Sequence, residues 1–162
     1  MSIAIVPGSY DPITKGHLDI VRRALQAYDE VVLAVMNNAA KEYMFDMSER
    51  AEMARRAVAD LARVRVVADS GMLVDLFDRV GATAIVKGVR NEKDRAYEEE
   101  MAAYNLAKNP RAKTVLLEAS SELTDLSSTC VRALLQAGIV PTRELPAGVI
   151  AYLVEKGVLQ KA

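Results

Sequence analysis

Short apolar runs alternate with amphipathic segments along the chain. Ile3–Val6, Val31–Met36, Val64–Ala68, Thr83–Val86 and Thr114–Leu117 are rich in β-branched residues and hardly alternate, the pattern of strands covered on both faces. Helical spacing fills the gaps. Leu18, Val21, Leu25 and Tyr28 share one face of a first helix. Ser48 can cap a second, with Glu49 in its first turn and Met53 and Leu61 on its apolar side. Met72–Val80 is short, apolar and stopped by Gly81, whereas Tyr97, Met101 and Tyr104 mark one face of a longer helix closed by Asn109-Pro110. Ser127–Ala137 follows, with Gly138 past its end, and Pro146 opens a last helix that is apolar at Val149, Ile150 and Leu153 and ends near Gly157.

Strands alternating with helices predict βαβ units joined by right-handed crossovers. The expected class is α/β, a single-domain, Rossmann-like, doubly wound parallel sheet of five strands with helices on both faces. No repeat, low-complexity tract or linker divides the chain, so residues 1–162 are expected to form one domain.

Composition narrows the function. An apolar fraction of 51% suffices for a sizeable core, and a formal net charge of -1 sets up no global field for nucleic acid or an anionic membrane, so neither is an expected partner. Any anion site must therefore be built locally. Cys130 is the only cysteine and His17 the only histidine, which excludes an internal disulfide framework and argues against a closed structural metal site. No run approaches the ~20 apolar residues of a membrane span. The apolar opening stops at Pro7 without a basic flank, so no secretory signal is expected and a cytoplasmic setting is.

In a doubly wound sheet ligands bind beyond the carboxyl ends of the strands, and three segments with chemistry fall there. After the first strand, Pro7-Gly8-Ser9 turns toward a helix beginning near Gly16-His17. A helix N-terminus offers free N–H groups to phosphate, and an imidazole there can donate Nε2–H to a phosphoryl oxygen, although a lone histidine at this place also serves as a surface or capping residue. After the fourth strand, Lys87, Gly88 and Arg90 put two cations around a glycine, which suits phosphates or a solvated basic loop. After the fifth, Ser127, Ser128 and Thr129 open a helix, as an oxyanion site or a simple N-cap would. Neither G-x-G-x-x-G nor G-K-[ST] occurs, so the chain carries neither the dinucleotide fingerprint nor a P-loop.

Thr14 to His17 reads T-x-G-H, a nucleotidyltransferase variant of H-x-G-H, and PGSYDPITKGHLDI resembles the opening of the bacterial phosphopantetheine adenylyltransferases. Two further motifs match the same family: K-G-V-R (Lys87–Arg90) followed by D-x-x-Y-E at Asp94, Tyr97 and Glu98, and L-S-S-T-C-V-R from Leu126 to Arg132. The resemblance runs from about Ala4 to the last helix, with the elements in the same order. It implies transfer of the adenylyl group of ATP, accompanied by Mg²⁺, to 4′-phosphopantetheine. The products would be dephospho-coenzyme A and pyrophosphate, without a covalent enzyme intermediate.

By the same resemblance His17 stabilises the transition state, with Ser9 and Lys41 beside it. ATP would be met by Ser9, Tyr10, His17, Gly88, Val89, Arg90 and Glu98, and by the run Leu123, Thr124, Asp125, Leu126, Ser127, Ser128 and Thr129. The acceptor would be met by Ser9, Lys41, Leu73 and Lys87, although Lys41 alone reads as a solvated charge and Leu73 equally as core. No protein ligand for the metal is implied. The family is typically a homohexamer and commonly inhibited by coenzyme A. The chain departs from the family at Lys87 (arginine is common), Arg95 (an aromatic is usual), Leu123 (Trp or Tyr often flanks the adenine), Tyr10 (usually Phe) and Ser9 (frequently Thr). Rival expectations keep the fold with nicotinate mononucleotide or a polyol phosphate as acceptor, make the chain a fragment of a class I aminoacyl-tRNA synthetase, or make it a catalytically silent nucleotide-binding protein. The absence of K-M-S-K-S and of net positive charge weighs against the synthetase fragment.

Overall fold

A computed structural model describes residues 1–160. The chain runs β1 (Ile3–Gly8), α1 (Lys15–Ala27), β2 (Glu30–Met36), α2 (Met47–Ala57), β3 (Val64–Asp69), α3 (Leu73–Arg79), β4 (Ala84–Val89), α4 (Glu92–Lys108), β5 (Thr114–Glu118), a 3-10 turn at Ser121–Leu123, α5 (Ser128–Gln136) and α6 (Ala147–Glu155). The five strands form one parallel sheet in the order β3-β2-β1-β4-β5, the α/β architecture expected from the pattern.

Because side chains alternate across a strand, each central strand feeds two cores. Ala4 and Val6 of β1, with Val31, Leu33 and Val35 of β2, pack on the face covered by α1, α2, α5 and α6. Ile3 and Ile5, with Val32 and Ala34, pack on the opposite face against Val74, Leu76 and Phe77 of α3. Both faces are buried, which is why the strands read as continuous apolar runs.

The order reverses between β1 and β4, and there the ladder is short. All six residues of β1 are in register with β2, whereas only Ala4 and Ile5 pair with β4, at Ala84 and Ile85. Beyond Ile5 the two strands part toward their carboxyl ends and leave a crevice. Pro7 fits this central strand because the N–H it lacks would face β4, where the ladder has stopped, and its carbonyl on that side accepts from Lys87 Nζ at 3.4 Å.

Two local expectations are revised. β1 extends to Gly8 and β4 to Val89, so Pro7-Gly8 and Lys87-Gly88-Val89 are strand residues, held by pairing with Ala34–Val35 and Leu116–Glu118. Helix α2 is capped by Asp46 rather than Ser48. The Asp46 carboxylate accepts the Glu49 N–H at 2.8 Å and the Glu49 carboxylate accepts the Asp46 N–H at 3.1 Å, a capping box set two residues earlier. The face of α4 marked by Tyr97, Met101 and Tyr104 is exposed, and the helix buries only Asn105.

Candidate active site

The crevice between β1 and β4 widens into a cleft of about 550 Å³. Ser9, Tyr10, His17, Lys41, Lys87, Gly88, Arg90, Glu98, Leu123, Leu126, Ser127, Ser128 and Thr129 all line it, contributed by five separate stretches of chain. Four other residues singled out in the sequence do not. Val89 is buried, Leu73 begins α3 and packs against the core of the far face, and Thr124 and Asp125 lie outside the lining, the latter paired with Arg143 at 3.0 Å. Arg95 also points away, to Glu118 at 3.0 Å.

His17 is the third residue of α1, and its position is locked by the cap. The Thr14 hydroxyl accepts the His17 N–H, while the imidazole Nδ1 accepts the Thr14 N–H at 3.0 Å. A backbone N–H can only donate, so Nδ1 carries no proton and the ring is the Nε2–H tautomer. Burial lowers the imidazole pKa to about 4, assisted by the charges of Lys87 and Arg90. At neutral pH the ring is an uncharged donor.

Tyr10 supports that ring. Its backbone is left-handed at φ 49, a strained conformation for a large L-residue. Its phenol donates to the Val6 carbonyl at 3.0 Å, and its ring meets His17 edge-on with centroids 4.9 Å apart. Burial, with the Glu98 charge second, raises the phenol above its ordinary value and keeps it protonated. Gly8 serves this packing, since a Cβ there would lie 3.0 Å from the Tyr10 ring.

The cations are held by neighbouring acids. Lys87 Nζ lies 3.3 Å from Glu98, and Arg90 Nε lies 3.1 Å from Asp94. At the α5 tip, Ser127 caps the helix by accepting the Cys130 N–H at 3.1 Å, and Ser128 donates to the Pro12 carbonyl at 2.8 Å. Ser128 and Thr129, the first two residues of the helix, line the cleft, and their backbone N–H groups have no intrahelical acceptor.

Six lining residues with polar or charged side chains were not singled out as site residues from the sequence: Asp11, Glu42, Tyr43, Asp94, Tyr97 and Arg132. Asp11 is buried and accepts the N–H groups of Met44 and Phe45 at 2.9 and 3.0 Å, tying the β1–α1 loop to the loop that carries Lys41. Arg132, inside the L-S-S-T-C-V-R motif, donates to the Asp11 carbonyl at 2.9 Å and to Thr129 Oγ1 at 3.1 Å. Among the described residues no group of three or more His, Cys, Asp or Glu side chains could hold a metal ion, and no helix is long and apolar enough to cross a membrane.

A doubly wound sheet with a T-x-G-H helix start and cationic loops around one crevice defines a nucleotidyltransferase-type protein, and residues 5–134 match the family model described as cytidylyltransferase-like. The chain is 43% identical over 156 residues to the phosphopantetheine adenylyltransferase of Heliobacterium modesticaldum, covering 96% of this chain and 93% of that one. It is 41% identical over 155 residues to the enzyme of the same name from Latilactobacillus sakei subsp. sakei (95% and 94%), and 40% identical over 156 residues to that of Chloroflexus aggregans (96% and 97%). The chain belongs to the phosphopantetheine adenylyltransferase family, within the cytidylyltransferase-like class.

Proposed function

We propose that this chain transfers the adenylyl group of ATP to 4′-phosphopantetheine, giving dephospho-coenzyme A and pyrophosphate, the penultimate step of coenzyme A synthesis. The observation that carries the reading is the convergence of His17, Arg90 and the α5 tip on the crevice where the strand order reverses. The names of the relatives support the acceptor.

In this reading the acceptor's phosphate oxygen attacks the α-phosphorus in line as the bond to the β-phosphate oxygen breaks, and that electron pair leaves with pyrophosphate. A phosphate is already anionic at neutral pH, so no general base is needed, and catalysis is positioning plus charge stabilisation. His17 Nε2–H donates to the charge that builds on the α-phosphoryl oxygens. Lys41, Lys87 and Ser9 hold the acceptor's phosphate, and Arg90 with the α5 tip holds the β- and γ-phosphates. Magnesium would come with ATP and would supply charge neutralisation on its phosphates. Three of the acids lining the cleft, Asp11, Asp94 and Glu98, are engaged by backbone N–H groups or cations, which supports a metal ligated by phosphate oxygens and water.

The same reading makes the chain a cytoplasmic homohexamer. The exposed apolar face of α4, with Tyr97, Met101 and Tyr104, supports assembly, and sedimentation velocity would test it. Coenzyme A, which carries the acceptor's arm, would compete at the cleft. The deciding experiment is steady-state pyrophosphate release with MgATP and a panel of 4′-phosphopantetheine, nicotinate mononucleotide and a polyol phosphate. Turnover confined to 4′-phosphopantetheine is expected. Preference for another acceptor would reassign the substrate, and ATP binding without release on any acceptor would make the protein a silent nucleotide binder.

A further inference from the structure

Tyr43 lines the cleft beside Ser9, and nothing assigned so far uses it. Its hydroxyl oxygen accepts the Asn38 N–H at 2.6 Å and lies 3.2 Å from Ser9 Oγ. Its ring is stacked on the guanidinium of Arg50, 4.0 Å from the centroid. Arg50 is only 1% exposed and is itself fixed by hydrogen bonds to Phe45, Ser9, Met36 and Asn37, so the phenol is held on a rigid base.

With the Asn38 N–H on one lone pair of the phenol oxygen, the phenol O–H can donate to Ser9 Oγ, one of the two directions that the 3.2 Å contact allows. In that direction Ser9 Oγ accepts, and its own O–H is left to donate to a ligand in the cleft that Ser9 lines. A phosphate dianion can only accept, so a serine that meets it must donate. A free serine rotor would present a lone pair in many of its orientations.

We propose that Tyr43 is a positioning residue that orients the Ser9 hydroxyl as a donor to the acceptor's phosphate, through the chain Asn38 N–H, Tyr43 O–H, Ser9 O–H. The inference rests on the adenylyl-transfer reading and on the place given there to Ser9.

The test compares wild type, Tyr43→Phe, Ser9→Ala and the double variant, with MgATP and 4′-phosphopantetheine varied in turn. Phenylalanine keeps the ring on Arg50 and removes only the hydroxyl. Tyr43→Phe should lower kcat/KM for 4′-phosphopantetheine by about three- to ten-fold, the worth of one hydrogen bond, with the KM for ATP moving less than about two-fold. In the Ser9→Ala background the same change should have almost no effect, because the group it orients is gone. An equal loss in both backgrounds would overturn the inference, as would equal damage to both KM values, the sign of a general structural role. Full wild-type activity in Tyr43→Phe would overturn it while leaving the proposed reaction intact. A wild-type protein inert toward 4′-phosphopantetheine would overturn the reaction itself, and the inference with it.

Discussion

Arg50 donates from Nη1 to the backbone carbonyl of Ser9 at 2.8 Å, so a buried side chain of α2 grips the β1–α1 loop across the top of the sheet. The same guanidinium donates to the carbonyls of Phe45 at 3.1 Å and Met36 at 3.1 Å, and to the Asn37 side chain. No carboxylate is among these partners. The charge is satisfied by four neutral oxygens, and the loop bearing Lys41 is pinned at both ends to the turn bearing Ser9.

Arg50→Lys should therefore destabilise the fold well beyond the loss of one contact. A single ammonium cannot reach all four acceptors, and buried groups left unpaired cost ~1–3 kcal/mol each, so a loss of about 2–5 kcal/mol is expected in urea unfolding. The KM for the acceptor should rise as the Lys41 loop loosens. A lysine variant as stable as the parent would show that other contacts hold the two loops together.

His17→Ala should lower turnover by roughly 10²–10³-fold, the usual loss for one donor aimed at developing charge. The variant also loses the ring half of the Thr14 capping box, so the helix start weakens by about 1 kcal/mol. Stopped-flow or quench-flow measurement of the transfer step separates the two effects, because the cap affects folding and the donor affects the chemistry. Unchanged turnover in the folded variant would remove His17 from the reaction.

The depressed imidazole makes a signed prediction about pH. In the unfolded chain the ring titrates near 6.5, and in the fold at about 4. Between those values the unfolded state binds a proton that the folded state does not, so stability falls as the pH drops through this window and is insensitive to His17 above it. Wild type should lose more unfolding free energy than His17→Gln between pH 7 and pH 4. Carboxylates held low in the fold, such as Asp46, Asp69 and Glu155, also lose their contribution in acid, but they do so in both proteins and cancel in the comparison. Turnover should show no inflection near 6.5 attributable to this ring. Parallel stability curves for the two proteins would mean that the imidazole is not shielded.

The parts of the cleft that were legible in the sequence are those whose chemistry is local. T-x-G-H, K-G-V-R and L-S-S-T each bring a glycine, a cation or a helix start within a few residues, and each lies at or beyond the carboxyl end of a strand. Tyr43, Asp11 and Arg50 act across the fold, and their short sequence contexts do not reveal it. Arg50 did leave one trace. With Met53, Ala54 and Ala57 it sits at i, i+3, i+4 and i+7 on the stripe that α2 buries, a place where a charged residue needs a partner. The Tyr97-Met101-Tyr104 stripe has the same period yet stays exposed, because periodicity marks an apolar face without saying what covers it.

Gly88 illustrates how a correct position can carry a different reason. In K-G-V-R it reads as a gap for a ligand, and it does line the cleft. The atoms that require it to be glycine, however, belong to α1: a Cβ at this place would lie 2.8 Å from Ile20 Cγ1 and 3.0 Å from Ile20 Cδ1. The helix that presents His17 thus rests on β4 at a point where no side chain fits. Gly88→Ala should cost about 1–3 kcal/mol by overpacking and reduce turnover by tilting α1. Ile20→Ala opens a cavity and is destabilising alone, but in combination the two changes should cost clearly less than the sum of the singles, since each relieves the other. Thermal unfolding of the four proteins gives the coupling. Strict additivity would place the constraint on Gly88 in the ligand site instead of in the contact between α1 and β4.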